Sequence, residues 1–190
     1  MGDAPAGVLV VDKPLGLTSH DVVQRVRRAT GIRRVGHAGT LDPLATGVLV
    51  VCVGWATRLI EYLVDSRKTY ETTVRLGRTT TTYDAEGEIV AERPAAVTPD
   101  QLHAALIPFR GPIRQKAPAY SAIKKDGQPL YKAARRGEAV EAPVRQVTID
   151  TLELLDFRPP DVDLRVVCSA GTYPVPWPMI WARRWAVAGM

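Results

Sequence analysis

Gly36-His-Ala-Gly-Thr-Leu-Asp-Pro-Leu-Ala-Thr-Gly47 is the most informative segment of the chain. It follows a predicted helix with a basic end and precedes an apolar run that is typical of a strand. Its three glycines permit a close approach between the backbone and a ligand. Asp42 precedes Pro43, which restricts the backbone of the aspartate and fixes the direction of its carboxylate. From the residues alone, Asp42 is either a catalytic carboxylate or the start of an ordinary Asp-Pro turn.

The residues on either side of this stretch form short elements with clear ends. Residues 7–11 are typical of a short buried strand, and residues 12–16 of the turn after it. Thr18 or Ser19 can cap a helix that ends at Gly31. The apolar positions of that helix share one face and are Val22, Val23, Val26 and Ala29. Residues 48–53 are all apolar, which predicts a strand buried on both faces.

The second half of the chain is richer in strand patterns. Residues 68–76 alternate in polarity, and one predicted face carries Tyr70, Thr72, Val74 and Leu76. Thr98-Pro-Asp-Gln101 is a capping box that opens a helix. Residues 144–155 and 164–168 are predicted strands. Strands outnumber helices and do not alternate strictly with them, which predicts an α+β fold: a mixed β-sheet with flanking helices.

Composition narrows the class of protein. The chain has 190 residues, of which 46% are hydrophobic and 24% charged, enough for one domain with a core. No apolar run reaches 18 residues and no signal peptide is evident, which predicts a cytoplasmic protein that does not enter a membrane. Cys52 and Cys168 lie in valine-rich runs and are expected to be buried thiols. The scattered histidines predict no metal site; they are His20, His37 and His103.

The positive charge of the chain is concentrated in one segment. The net charge is +5, and residues 113–145 contain eight lysines and arginines against three acids, a surplus of the same size. Tyr120 and Tyr131 lie among these cations. Clustered cations with interleaved aromatic residues suit a nucleic acid, whereas a solvated basic face is the other interpretation that charge alone leaves open.

The motifs of the chain resemble those of the TruB family of pseudouridine synthases. The family signature Gly-x-Leu-Asp-Pro-x-Ala-x-Gly is matched throughout by residues 39–47, and the resemblance covers residues 7–173. Other motifs match in the same order: Val11-Asp-Lys-Pro-Leu-Gly16, Lys68-Thr-Tyr70 with Leu76-Gly77, Thr82-Tyr-Asp-Ala-Glu-Gly87, Gln115-Lys-Ala-Pro-Ala-Tyr-Ser-Ala122, Gly127-Gln-Pro-Leu-Tyr131, Ala134-Arg-Arg-Gly137 and Val167-Cys-Ser-Ala-Gly-Thr-Tyr173.

This resemblance implies a pseudouridine synthase fold with a central catalytic cleft and no cofactor or metal. It implies an enzyme that isomerises a uridine in the T-loop of tRNA, at position 55 in tRNA numbering. The expected partner is the T-arm stem-loop of tRNA, bound by a monomer. The uridine must leave its stack to be reached, so the site needs an aromatic platform. The carboxylate attacks either the anomeric carbon of the ribose or C6 of the ring, and the sequence leaves both routes open.

The resemblance also assigns roles to individual residues. Asp42 matches the family nucleophile, and Tyr70 matches a tyrosine that packs on the base; we expect both to face one cleft. His37 and Tyr173 match substrate contacts. Lys13 and Thr18 either support the cleft or are purely structural. The basic segment matches the region that grips the T-arm, and its candidate RNA-binding residues are Lys124, Lys125, Arg135 and Arg136.

The match with the family ends after Tyr173. The family continues with Ile-Arg-Ser-Leu-Ala-x-Asp-Leu-Gly in an amphipathic helix, whose arginine pairs with the catalytic aspartate. Here Val175 takes the place of that arginine, and prolines occupy positions 174, 176 and 178. When a leucine codon CTG is followed by a Gly or Ala codon, which begins with G, reading one base out of frame gives TGG, the tryptophan codon. Undoing such a shift restores Arg-Ser-Leu-Ala from residue 175.

We therefore interpret residues 1–173 as an incomplete catalytic domain and residues 174–190 as a frame-shifted tail. The small RNA-binding domain that ends bacterial members of the family is expected to be absent. The alternative to an active synthase is an inactive RNA-binding remnant, or a pseudogene product of the same family. An intact aspartate loop with a lost arginine fits both interpretations.

Overall fold

The structure is a computed structural model, which describes residues 5–82, 84–117, 124–125, 128–129 and 143–173. The chain divides into two compact units, Met1–Ser66 and Arg67–Met190. No Pro, Gly or Ser-rich linker marks this division in the sequence. The assignment of residues 1–173 to one catalytic domain stays a prediction.

The first unit packs one long helix against a three-stranded sheet. Its strands are β1 (Gly7–Lys13), β2 (Val35–His37) and β3 (Gly47–Val53), and they pair antiparallel in the order β1-β3-β2. Helix α1 (Ser19–Thr30) covers one face of this sheet, and a short helix α2 (Ile60–Leu63) ends the unit after a 3-10 turn (Gly54–Leu59). The core on the α1 side consists of Val22, Val23, Val35, Leu49, Val51 and Val53.

Both ends of α1 follow the sequence signals. Thr18, rather than Ser19, is the N-cap: its hydroxyl accepts from the Asp21 N–H at 3.1 Å, and the Asp21 carboxylate accepts from the Thr18 N–H at 2.9 Å. The hydrogen bond from the Thr18 hydroxyl is the main cause that lowers the pKa of Asp21. Gly31 ends the helix in a left-handed conformation, with φ of 70°.

The prediction that β1 is buried is wrong. Val10 is 73% exposed, and Val8 and Leu9 are exposed as well. The prediction that residues 48–53 are buried on both faces holds for residues 51–53 but fails at Val48, which is 68% exposed. The reason is that β1 is an edge strand of its sheet in the part of the chain that the structure describes, and α1 covers only the face toward Leu49 and Val51.

The second unit is built on a four-stranded antiparallel sheet of order β4-β11-β10-β7. These strands are β4 (Lys68–Arg75), β7 (Gly111–Lys116), β10 (Val144–Arg158) and β11 (Asp161–Cys168). Helix α3 (Pro99–Leu106) begins at the predicted capping box and contributes Leu102 and Leu106 to the core. A short 3-10 turn (Ile107–Phe109) follows α3, and two small hairpins complete the described strands: β5 (Arg78–Thr80) with β6 (Ile89–Glu92), and β8 (Lys124–Lys125) with β9 (Gln128–Pro129).

The two faces of this sheet differ sharply. Every second residue of β11 is buried in the core, and these residues are Val162, Leu164, Val166 and Cys168. Asp163 and Arg165, which lie between them, belong to a ladder of ion pairs on the opposite face. In this charged ladder Arg165 pairs with Glu71 and Glu153, Arg158 pairs with Asp156 and Asp163, and Arg75 pairs with Asp161.

The α+β class is confirmed. Each unit has its own sheet, and every strand pair among the described residues is antiparallel. The strands β10 and β11 extend beyond the predicted residues 144–155 and 164–168, because their pairing continues through Phe157 and Val162 to the pair of Arg158 and Asp161. Both cysteines are buried as predicted, and burial raises the pKa of the Cys52 and Cys168 thiols. None of the described helices is long and apolar enough to cross a membrane.

Candidate active site

Asp42 lies in the loop between β2 and β3 of the first unit, and the residue is exposed. Two contacts hold the beginning of this loop. The Ala38 N–H donates to the Val50 carbonyl at 2.9 Å, and the His37 Nδ1 lies 2.7 Å from the Gly39 carbonyl oxygen. Since a carbonyl only accepts, this contact places the proton of His37 on Nδ1. Gly39 has a φ of 128°, which a residue with a side chain rarely adopts.

The buried hydroxyl of Ser19 anchors the residue before the aspartate. Ser19 is 2% exposed; its Oγ donates to the Leu41 carbonyl at 3.1 Å and accepts from the Leu41 N–H at 2.9 Å. Both backbone groups of Leu41 are therefore bound to one side chain in the first turn of α1. The sequence analysis offered Ser19 only as a possible helix cap and missed this contact.

The residue after the aspartate is anchored from another part of the chain. The Gly16 N–H donates to the Pro43 carbonyl at 2.8 Å, and the Ala45 N–H donates to the carbonyl of Asp42 itself at 3.0 Å. The turn that carries Gly16 is shaped by the buried Lys13, whose Nζ donates to the Pro14 and Leu17 carbonyls at 3.1 and 2.7 Å. The backbone on both sides of Asp42 is thus fixed before any ligand arrives, as a reacting group requires.

We expect Ser19→Ala to destabilise the chain by about 1–3 kcal/mol, because it leaves two backbone groups of Leu41 without a partner in a buried site. Urea denaturation of the parent and the variant measures this difference. Ser66→Ala is the matched control: Ser66 is exposed, and its hydroxyl donates to the Leu63 carbonyl at 2.8 Å. The control should change the free energy of unfolding by less than about 0.5 kcal/mol. Equal effects of the two substitutions would contradict the anchoring role of Ser19.

The two candidate tyrosines belong to the second unit. Tyr70 lies on β4 opposite Val166 of β11, and its half-buried side chain packs against the core of the four-stranded sheet. Tyr173 follows β11 and is also half-buried. The side chain of Gln115 on β7 binds the backbone of Tyr173 through two hydrogen bonds, of 2.6 and 2.9 Å.

The candidate site residues therefore fall into two groups. His37 and Asp42 belong to one loop of the first unit, whereas Tyr70 and Tyr173 belong to the second unit. A cleft shared by Asp42 and Tyr70 stays a prediction. Within the described residues, no three side chains of the His, Cys, Asp or Glu type lie close enough together to hold a metal ion.

Only part of the basic segment is described. The backbones of Lys124 and Lys125 form strand β8, and Arg135 and Arg136 lie outside the described residues. Arg114 and Lys116 of β7 are exposed.

A second cationic surface, which the sequence analysis missed, lies on the first unit. The guanidinium groups of Arg34 and Arg58 lie 4.8 and 4.6 Å from the centroid of the Trp55 ring, which is 57% exposed. Arg34 Nε donates to the Thr57 hydroxyl at 2.6 Å, which fixes that guanidinium group. Guanidinium groups stacked on an aromatic ring are typical of surfaces that bind phosphates and bases.

Comparison with known proteins decides the family. The family model for the N-terminal domain of TruB family pseudouridylate synthases matches residues 27–174. The chain belongs to the TruB family. It is 56% identical over 168 residues to a tRNA pseudouridine synthase B of Pseudomonas aeruginosa, and 52% identical over 171 residues to one of Ralstonia pickettii. These matches cover 88% of the chain and 55% and 54% of the relatives, so the chain spans about half their length.

Two solved structures share the fold of this chain. A crystal structure of a Cbf5-Nop10-Gar1 complex matches with a TM-score of 0.70 and 29% identity, over 94% of this chain and 44% of that one. The archaeal box H/ACA sRNP Nop10-Cbf5 complex matches with a TM-score of 0.67 and 26% identity, over 97% and 45%. The pseudouridine synthase fold that the motifs implied is confirmed.

Proposed function

We propose that this chain is the catalytic part of a tRNA pseudouridine synthase that isomerises the T-loop uridine. The observation that carries the proposal is the Asp42 loop: an exposed carboxylate whose neighbours Leu41 and Pro43 are anchored from two separate elements. Membership of the TruB family and relatives named tRNA pseudouridine synthase B support the same activity. The cytoplasmic location and the monomeric state stay predictions.

The reaction needs little more than an oriented nucleophile and a platform for the base. The bond between N1 of uracil and C1′ of the ribose breaks, and a bond between C5 and C1′ forms. The proton on C5 is lost and N1 gains one, so atoms and electrons balance without an oxidant or a metal. Asp42 forms the covalent intermediate with the ribose or the ring. In this proposal Tyr70 packs on the flipped base, and His37 and Tyr173 contact the nucleotide.

The experiment that tests this proposal follows the C5 proton. A T-arm stem-loop RNA labelled with tritium at C5 of its uridines should release tritium to water when the chain acts on it. An RNA in which cytidine replaces the target uridine is the control and should release none above background. Tight binding of the RNA without release of tritium would instead support the inactive RNA-binding remnant.

We further propose that the basic segment binds the phosphates of the T-arm. Clustered cations displace counterions from the RNA, so the logarithm of the affinity should fall steeply with the logarithm of the salt concentration. Neutralising the candidate residues should flatten that slope by about one unit for each cation that contacts a phosphate. Filter binding across a salt series measures the slope for the variant in which glutamine replaces Lys124, Lys125, Arg135 and Arg136.

A matched variant separates local contacts from net charge. Arg75, Arg78, Arg158 and Arg165 are each paired with a carboxylate in the second unit, so replacing all four by glutamine removes the same total charge. This control should leave the salt slope nearly unchanged. If the two sets flatten the slope equally, the basic segment is only a solvated face.

We also propose that residues 174–190 are translated from a shifted frame. The end of the family-model match at residue 174 supports this reading, as do the three prolines within the first five residues of the tail. The nucleotide sequence around codon 174, determined from independent DNA, tests the proposal directly.

A further inference from the structure

We propose that Gln115 is a positioning residue, which fixes the backbone of Tyr173 and through it the direction of the Tyr173 side chain toward the RNA. The inference rests on the proposed function, because Tyr173 is assigned to the substrate by that proposal. No motif or spacing in the sequence pairs these two residues.

The side-chain amide of Gln115 makes the same two hydrogen bonds to the backbone of Tyr173 that a neighbouring β-strand would make. Gln115 Nε2 donates to the Tyr173 carbonyl at 2.6 Å, and the Tyr173 N–H donates to Gln115 Oε1 at 2.9 Å. The direction of the amide is fixed by its partners, because a backbone N–H only donates and a carbonyl only accepts. The bond closes a loop of 58 residues, from β7 to the segment after β11.

The segment that precedes Tyr173 is anchored in the same manner. The Ser169 N–H donates to the Thr148 carbonyl at 2.9 Å, and the Ser169 hydroxyl accepts from the Thr148 N–H at 3.0 Å. The Thr172 hydroxyl donates to the Ser169 carbonyl at 2.9 Å. These bonds fix the backbone between β11 and Thr172, and Gln115 extends the same support by one more residue, to Tyr173.

The burial of Gln115 indicates that its amide is retained for the hydrogen bonds to Tyr173. The side chain is 3% exposed and belongs to the few buried polar groups in the described residues. A buried amide costs stability unless its groups are paired, whereas methionine of similar size would fill the same space without that cost. The hydrogen bonds to the backbone of Tyr173 offset the cost of burying this amide.

The test replaces the amide but keeps the volume, in the full chain. Gln115→Met removes both hydrogen bonds, and Gln146→Met is the matched control, since Gln146 is exposed on the neighbouring strand β10. Selective labelling with 15N-tyrosine gives six amide signals, because the chain has six tyrosines, and Tyr173→Phe assigns the signal of Tyr173. In Gln115→Met the Tyr173 amide should exchange with solvent at least tenfold faster, while the amide of Tyr70 in β4 stays unchanged.

The second measurement is tritium release from the T-arm RNA. Gln115→Met should lower kcat/KM by about 10- to 100-fold, since small displacements of a positioning group cost that much. Tyr173→Ala should lower it similarly, and the double variant should be no worse than Tyr173→Ala alone, because both changes remove one contact. Gln146→Met should leave kcat/KM within about twofold of the parent.

The other possible results would each contradict either the role of Gln115 or the proposed function. Unchanged exchange at Tyr173, or equal acceleration at Tyr70 and Tyr173, would overturn the inference, the latter by making Gln115 a residue of the general fold. Faster exchange at Tyr173 with unchanged or additive kinetics would overturn it as well. A parent chain without tritium release would refute the proposed function instead, and the exchange data would still decide whether Gln115 holds Tyr173.

Discussion

Asp42→Asn should abolish tritium release from the T-arm RNA while the affinity for that RNA stays within about twofold of the parent. The amide keeps the shape of the carboxylate but is not a nucleophile, so the covalent intermediate cannot form. The loop itself should be unaffected, because its anchors at Leu41 and Pro43 are backbone groups bound to Ser19 and Gly16. Single-turnover tritium release and filter binding on the same RNA measure the two quantities.

Asp65→Asn is the matched control for this experiment. Asp65 is an exposed aspartate of the same unit, outside the loop between β2 and β3, and its replacement should leave the rate unchanged. Residual turnover of Asp42→Asn within about tenfold of the parent corresponds to roughly 1.4 kcal/mol of barrier. A loss that small would exclude Asp42 as the nucleophile.

The second large effect concerns the tail. A chain whose frame is restored from codon 174 should be much more active than the chain as written, and more soluble. From the prolines at positions 174, 176 and 178 we expect that the helix implied by the family resemblance does not form in the chain as written. Restoring the frame removes these prolines, supplies an arginine at position 175 and allows an amphipathic helix to pack. A marginally stable domain gains substantially from one additional core helix.

Both forms can be compared on one T-arm RNA for tritium release, thermal unfolding and sedimentation. The control is a chain as written with glutamine in place of Trp177, Trp181 and Trp185, which removes apolar side chains from the tail without restoring the helix. This control should recover part of the solubility but little of the activity. Equal activity of the restored and written chains would show that the arginine and the helix are dispensable.

Local signals in the sequence predicted the local structure. The predicted cap at Thr18 or Ser19, the capping box at Thr98 and the terminal Gly31 all lie within four residues of the helix ends that they fix. Burial of β1 was predicted wrongly, because an apolar strand does not reveal whether an element covers its second face. An exposed Val10 and a buried Val51 look alike in the sequence.

The contacts that shape the candidate site were beyond the reach of sequence patterns. Ser19 and Leu41 are 22 residues apart, and Gln115 and Tyr173 are 58 residues apart. Serine and glutamine at these positions carry no periodicity, and only the folded chain brings them to the backbone groups that they bind. The family motifs predict Asp42 as the nucleophile, whereas the residues that hold its loop required the structure.

The charged ladder on the sheet of the second unit has a consequence for the encounter with the RNA that we propose as the partner. Its three arginines, Arg75, Arg158 and Arg165, stand against five carboxylates, Glu71, Glu153, Asp156, Asp161 and Asp163, so these eight groups carry a net charge of minus two. Pairing cancels most of the local field, and the remainder repels a polyanion within the Debye length of about 10 Å at 0.1 M salt. On the same face Arg114 and Lys116 of the edge strand β7 are exposed cations, so this edge of the sheet attracts phosphates while the ladder repels them. The orientation of the first collision is biased before any specific contact forms, which raises the association rate at low ionic strength.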